Sequence, residues 1–294
     1  MADTLVSTAW LAERLGASPG ERQALRVFDA TAYMPHENAD AEAIFRDAHI
    51  PGAGRFDVDA IADTDTDLPH MLPAAGRFAR MAGALGIANS DLVVFYDQKG
   101  LFSAARAWWM MRVFGHDRVV VLDGGLPKWR AEGRPVESGP AAAAAPATFR
   151  PDLRATMVRG IGDMLENLTS RRELVVDARA AARFTAAVAE PRPGMRAGHI
   201  PGAVNVPFGE LLAPDATMHP PAELRARFAA AGVDGSRPVV TSCGSGMTAC
   251  ILTLAMVHAG LPAGAVYDGS WTEWGGRPDT PIADTPIADT PIER

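Results

Sequence analysis

The chain has 294 residues, 48% of them apolar and 21% charged, and a formal charge of −7. That composition suits a chain that buries sizeable cores, and the acidic excess argues against nucleic acid as a partner, because phosphate contacts need a basic surface. No apolar run is long enough to span a bilayer, the start "MADTLVSTAWLAERLGA" does not read as a secretory signal, and two cysteines make neither a disulfide framework nor a zinc site.

In chain order, the first half reads as β-rich "RVFDAT" (26–31), helical "AAGRFARMAGALG" (74–86), strand "DLVVFYD" (91–97), helical "SAARAWWMMRVFG" (103–115) and strand "RVVVLDGG" (118–125). A Pro/Gly/Ala stretch, "SGPAAAAAPATFRPD" (138–152), then reads as a linker. The second half gives strands "ELVVDAR" (173–179), "VNVPF" (204–208), "PVVTS" (238–242) and "GAVYDG" (264–269). Helical patterns "PPAELRARFAAAGV" (220–233) and "TACILTLAMVHAGL" (248–261) lie between them, the latter with Gly260 at its end. Alternating strand and helix predicts an α/β fold, a mostly parallel sheet with helices on both faces. The working site of such a sheet lies at the carboxyl ends of its strands.

The chain also repeats itself. "AHIPGA" at 48–53 returns as "GHIPGA" at 198–203, so His49 matches His199. "VFDAT" returns as "VVDAR", matching Asp29 to Asp177, and "VLDGGLPKW" returns as "VYDGSWTEW", matching Asp123 to Asp268. Three matches in one order at nearly constant spacing imply two domains of one fold. The expected division is 1–137, a linker at 138–152, a second domain at 153–278 and an extended or disordered tail, "DTPIADTPIADTPIER", at 279–294.

Both cysteines lie in "TSCGSGMTAC" (241–250). Cys243 ends a strand, the loop "CGSGM" follows, and a helix is expected to start near Thr248. Gly244 and Gly246 allow backbone angles closed to other residues. Successive N–H groups can then face one point, and the helix N-terminus adds its positive dipole end. Such a cradle favours a sulfur anion. The equivalent position in the first half is Asp97, so one copy carries a nucleophile and the other does not. A cysteine phosphatase would need an Arg six places after its cysteine to grip phosphoryl oxygens, and Ala249 stands there. Thr248 is expected to cap the helix, and Cys250 to be a small buried side chain. His49 and His199 recur in both halves, which suggests a shared structural role. Trp108, Trp109, Trp129, Trp271 and Trp274 read mainly as core.

"HIPGA", "SAARAWWMMRVFGHD", "VLDGGLPKW", "GHIPGAVNVPF" and "CGSGMTAC" resemble signatures of the two-domain rhodanese family of sulfurtransferases, over nearly the whole chain. The resemblance implies an inactive first domain and an active second one. It also implies that Cys243 takes sulfur from a small-molecule donor, holds it as a persulfide and passes it to a thiol acceptor such as thioredoxin, or to cyanide. "CGSG" is similar to the loop of the 3-mercaptopyruvate sulfurtransferase branch, whereas the thiosulfate-using branch carries basic residues where Gly244 and Ser245 stand. The match further implies that Arg183 and Arg192 bind the substrate carboxylate and carbonyl, with Gly244, Gly246, Met247 and Thr248 around the substrate. It implies a triad of Ser245, His70 and Asp59 for proton handling. No metal, organic cofactor or membrane is expected, and the expected location is cytoplasmic. The alternatives are a thiosulfate sulfurtransferase and a noncatalytic sulfur-relay protein.

Overall fold

The computed structural model describes residues 4–17, 25–34, 37–141 and 143–284. The chain forms two compact units, one of residues 1–157 with 212–220, the other of 158–211 with 221–294. The first unit orders its elements as β1 (Leu5–Val6), α1 (Thr8–Gly16), β2 (Leu25–Asp29), α2 (Ala41–Asp47), β3 (Gly54–Arg55), α3 (Val58–Ile61), α4 (Ala75–Ala84), β4 (Leu92–Tyr96), α5 (Ala104–Val113), β5 (Val119–Leu122) and α6 (Gly125–Ala131). The second continues with β6 (Val158–Arg159), α7 (Ile161–Ser170), β7 (Leu174–Asp177), α8 (Ala181–Phe184), β8 (Val204–Asn205), α9 (Pro221–Ala230), β9 (Val239–Ser242), α10 (Ala249–His258), β10 (Ala265–Tyr267) and α11 (Ser270–Trp274).

Each unit holds one five-stranded sheet, in the order β1-β5-β4-β2-β3 and β6-β10-β9-β7-β8. Every strand pairing is parallel. The second order is the first with each strand number raised by five, so the sequence repeat is a repeat of topology. Parallel strands covered on both faces read as unbroken apolar runs, and Val93, Val94, Phe95 and Tyr96 of β4 are all 0% exposed. On one face of the first sheet Val27, Val94, Tyr96, Val120 and Leu122 pack with Leu11, Phe45 and Trp129. The second sheet packs Val175, Val240 and Tyr267 with Phe184, Ile200, Trp271 and Trp274. The apolar runs in the sequence find β2, β4 and β5 and, through "VNVPF", the two-residue β8, but they pass over β1, β3 and β6, whose two residues stand in no such run.

The recurring histidines are structural, as their repetition suggests. The Nδ1–H groups of His49 and His199 donate to the carbonyls of Phe45 and Phe184, both at 2.9 Å. Their rings stack on the same phenylalanines at 4.0 and 3.8 Å. Burial holds the His199 pKa below the usual histidine value, which suits a ring that acts as a neutral donor. Five of the six tryptophans, Trp108, Trp109, Trp129, Trp271 and Trp274, are buried in the core.

Two segments differ from their sequence reading. The stretch expected to be a linker lies along the first unit. Ala147 N–H donates to Gly83 O, Arg150 N–H to the Asn89 side chain, and Phe149 is buried edge-on against Phe78. One buried aromatic ring and paired main-chain groups are enough to hold a segment whose composition is that of a tether. The first DTPIA copy of the tail is also docked, where a loose end was expected. Trp274 Nε1–H donates to Pro281 O, Thr280 Oγ1–H donates to the Trp274 carbonyl, and Ala283 pairs with His199 in an antiparallel bridge. This docking repeats the first unit, where Trp129 Nε1–H donates to Pro135 O and Glu137 bridges His49. The remaining tail residues, 285–294, lie outside the described residues.

Candidate active site

Strand β9 ends at Ser242 and delivers Cys243 at its carboxyl edge. Helix α10 begins at Ala249, and its residues from Ala249 to Met256 are all buried. A helix apolar all round is a core helix, so the loop between β9 and α10 is fixed at both ends. Cys243 is 1% exposed, Ser245 4% and Met247 1%, so the thiol sits at the floor of the loop, with Gly244 and Thr248 half-buried above it. Gly246 has φ +75°, the left-handed region that glycine enters without a Cβ penalty.

The first unit shows what this loop is shaped to hold. Asp97 occupies the place of Cys243, at the end of β4, and is fully buried. Its Oδ2 accepts the N–H groups of Phe102, Ser103 and Ala104 at 2.7, 2.9 and 3.0 Å, and its Oδ1 accepts that of Lys99 at 3.0 Å. An anion thus satisfies the first turn of α5 from a distance. The helix needs no side-chain cap, and Ser103 makes none. The second unit keeps this arrangement with a thiol at the anion position. Thr248, expected as the cap of α10, makes no capping bond either. Among the described residues, the N–H groups of Ser245, Met247 and Thr248 have no protein acceptor.

Arg183, at the end of α8, reaches this loop. A Cβ built on Gly244 would lie 3.2 Å from Arg183 Nη2, so the absence of a side chain at Gly244 gives the guanidinium its place. Arg183 is held by Glu190, with Nε donating to Oε1 at 3.2 Å and Nη2 to Oε2. Glu190 in turn accepts from Arg179 Nη1 at 2.7 Å, and its side chain is only 3% exposed. Arg179, a third arginine of the same stretch, is committed to structural partners. Its guanidinium grips the Asp177 carboxylate, donates to Gly198 O at 2.8 Å and stacks over Trp271. Arg192 is half-buried in the same connection. Cys250 is buried, and its thiol donates to Gly246 O.

His70 and Asp59 belong to the first unit and pair there, His70 Nδ1 against Asp59 Oδ1. His70 adopts φ +62°, uncommon for a residue with a Cβ, and Arg106, fully buried, donates to its carbonyl. The ring's Nε2 is buried, with no hydrogen-bond partner among the described residues. A strained histidine, oriented by a carboxylate and with its second nitrogen unused, is arranged as proton-transfer machinery is.

Several contributors escaped sequence reasoning. Glu190, Asp177 and Arg106 act by fixing other groups, and only a buried charge's need for a partner could have pointed to them. Arg196 is another. It donates to the carbonyls of Trp274, Gly275, Arg277 and Thr280, and so holds the end of α11 and the docked tail.

The sequence matches the Rhodanese-like domain family twice, over residues 7–132 and 161–277. The chain belongs to the rhodanese family. It is 46% identical over 272 residues to the 3-mercaptopyruvate sulfurtransferase of Rattus norvegicus, covering 92% of this chain and 91% of that protein. To the thiosulfate sulfurtransferase of the same organism it is 43% identical over 284 residues, covering 95% of each. Among solved structures it resembles SseA from Escherichia coli, described as a 3-mercaptopyruvate sulfotransferase, with a TM-score of 0.82 and 36% identity over 92% of this chain and 99% of that one. Among the described residues no group of His, Cys, Asp and Glu is arranged to hold a metal, and no helix is long and apolar enough to cross a membrane.

Proposed function

We propose that this rhodanese-family enzyme is a 3-mercaptopyruvate sulfurtransferase. The observation that carries the reading is the placement of Arg183 against Gly244, the residue that follows Cys243 in a loop without basic side chains. The cradle holds a sulfur anion where the first repeat holds a carboxylate, and the guanidinium stands against Gly244. A dianionic donor gains from a cationic loop, whereas Gly244 and Ser245 offer only amides and a hydroxyl. A substrate with one carboxylate and one carbonyl suits an arginine fork to the side of such a loop.

In the proposed cycle the Cys243 thiolate attacks the substrate sulfur. The carbon–sulfur bond breaks, its electron pair leaves with the pyruvate enolate, and a proton converts the enolate to pyruvate. Cys243 keeps the sulfur as a persulfide. A thiol acceptor such as thioredoxin, or cyanide, then attacks the outer sulfur and regenerates the thiolate. Arg183 and Arg192 hold the carboxylate and carbonyl, while loop amides around Gly244, Gly246, Met247 and Thr248 stabilise charge on sulfur. His70, oriented by Asp59, and Ser245 are the residues we assign to proton transfer. The cycle calls for no metal or organic cofactor, and a free thiol of this kind suits a reducing, cytoplasmic setting.

Initial-rate kinetics with both donors test the assignment. A larger kcat/KM with mercaptopyruvate supports it. A larger value with thiosulfate supports the second reading, which the equally broad match to a thiosulfate sulfurtransferase keeps in view. An absence of turnover with either donor, combined with sulfur loading by a partner protein, supports a relay role.

A further inference from the structure

The two repeats differ in how they fix the peptide that follows the anion. In the first, Asp97 O accepts the N–H of Leu126, at 3.0 Å, and no other among the described residues. The next residue is Pro127, which has no N–H to give. Gly125, at φ +53°, leaves no room for a side chain, since a Cβ there would meet Asp97 O and Gly100 O, both at 2.5 Å.

The second repeat replaces Gly125 by Ser270 and Pro127 by Thr272. Ser270 keeps the left-handed backbone, at φ +49°, although it carries a Cβ, a conformation that residues other than glycine adopt only under constraint. Its hydroxyl accepts the Cys243 N–H at 3.1 Å and donates to Tyr267 O at 2.8 Å. Trp271 N–H donates to Cys243 O at 2.9 Å. Thr272 donates twice to the Gly244 carbonyl, from its N–H at 2.8 Å and from its hydroxyl at 2.6 Å.

The C=O and N–H of one peptide point in opposite directions because the unit is planar and trans. Bonds that hold Gly244 O on the α11 side therefore turn the N–H of Ser245 the other way. The equivalent N–H in the first repeat, that of Lys99, points at the Asp97 carboxylate. A carboxylate with two strong acceptor oxygens can organise those amides itself. A single sulfur, a weaker acceptor, cannot.

We propose that Thr272 and Ser270 are positioning residues for the nucleophile: the start of α11 clamps the Cys243–Gly244 peptides so that the loop amides face the sulfur anion. This rests on Cys243 being the reacting group of the proposed function, but its test does not need the substrate. The rate of carbamidomethylation of Cys243 by iodoacetamide at neutral pH is followed by peptide mass in wild type, Thr272→Val, Thr272→Ser and Ser270→Gly. Loss of one net hydrogen bond is worth roughly a three- to tenfold change. Thr272→Val is expected to slow the reaction by about that factor, Thr272→Ser to restore it, and Ser270→Gly, which relieves the backbone but leaves the Cys243 N–H without its acceptor, to slow it as well. With mercaptopyruvate, kcat is expected to fall in step while KM stays within about twofold, because Arg183 is untouched. A wild-type alkylation rate in both Thr272→Val and Ser270→Gly, or no recovery in Thr272→Ser, overturns the proposal. If wild type fails to turn over mercaptopyruvate, the functional reading falls while the alkylation series still decides the clamp.

Discussion

The loops after β4 and β9 are one structure used for two purposes. After β4, Asp97 satisfies four amides and seals the loop. After β9, Cys243 takes the same place with a single polarisable atom, and the organising bonds come from α11 instead. The comparison teaches that an anion-binding turn is not in itself a catalytic site. A turn whose amides are already satisfied is architecture, and the same turn with open amides beside an arginine can do chemistry.

The largest expected break in the comparison comes from Arg183. Arg183→Gln removes the charge that distinguishes the second loop and leaves buried Glu190 with Arg179 alone. kcat/KM with mercaptopyruvate is expected to fall by about 10- to 100-fold, mainly through KM, as for the loss of a charge-assisted hydrogen bond; steady-state kinetics check this. Asp97→Asn makes the converse test. One side-chain oxygen becomes a donor that faces three N–H groups, and stability is expected to drop by about 3 kcal/mol, seen as a lower urea midpoint, while kcat per folded molecule stays unchanged. The smallest effect concerns the docked tail. A chain ending at Pro278 loses the bonds of Thr280 and Pro281 and the packing of Ile282. It is expected to be about 1–2 kcal/mol less stable than a chain ending at Asp284, measured by thermal melts of the two truncations.

Much of this was legible in the sequence. The fold and its duplication were, because strands and helices of ordinary length leave periodic patterns and the HIPGA and DGG/DGS motifs recur at constant spacing. Cys243 was legible because glycines on both sides of a serine betray an unusual backbone. Arg183 could be favoured over Arg179 only through the family resemblance, since coordinates alone show which guanidinium is committed to Asp177. Thr248 looked like a cap because a hydroxyl at a helix start usually is one. What a sequence leaves out is whether that hydroxyl actually bonds the helix N-terminus, and here it does not. The docked DTPIA segment was illegible for a related reason: apart from the Thr280 hydroxyl, Thr280, Pro281 and Ala283 hold on through their main-chain groups, which leave no compositional mark.

Intact-mass spectrometry after brief exposure to 3-mercaptopyruvate, with wild type and Cys243→Ser side by side, tests the central claim most directly. A gain of one sulfur atom is expected on wild type, lost again on addition of cyanide, with no gain on Cys243→Ser. An unmodified wild type, or equal sulfur uptake by Cys243→Ser, would contradict it.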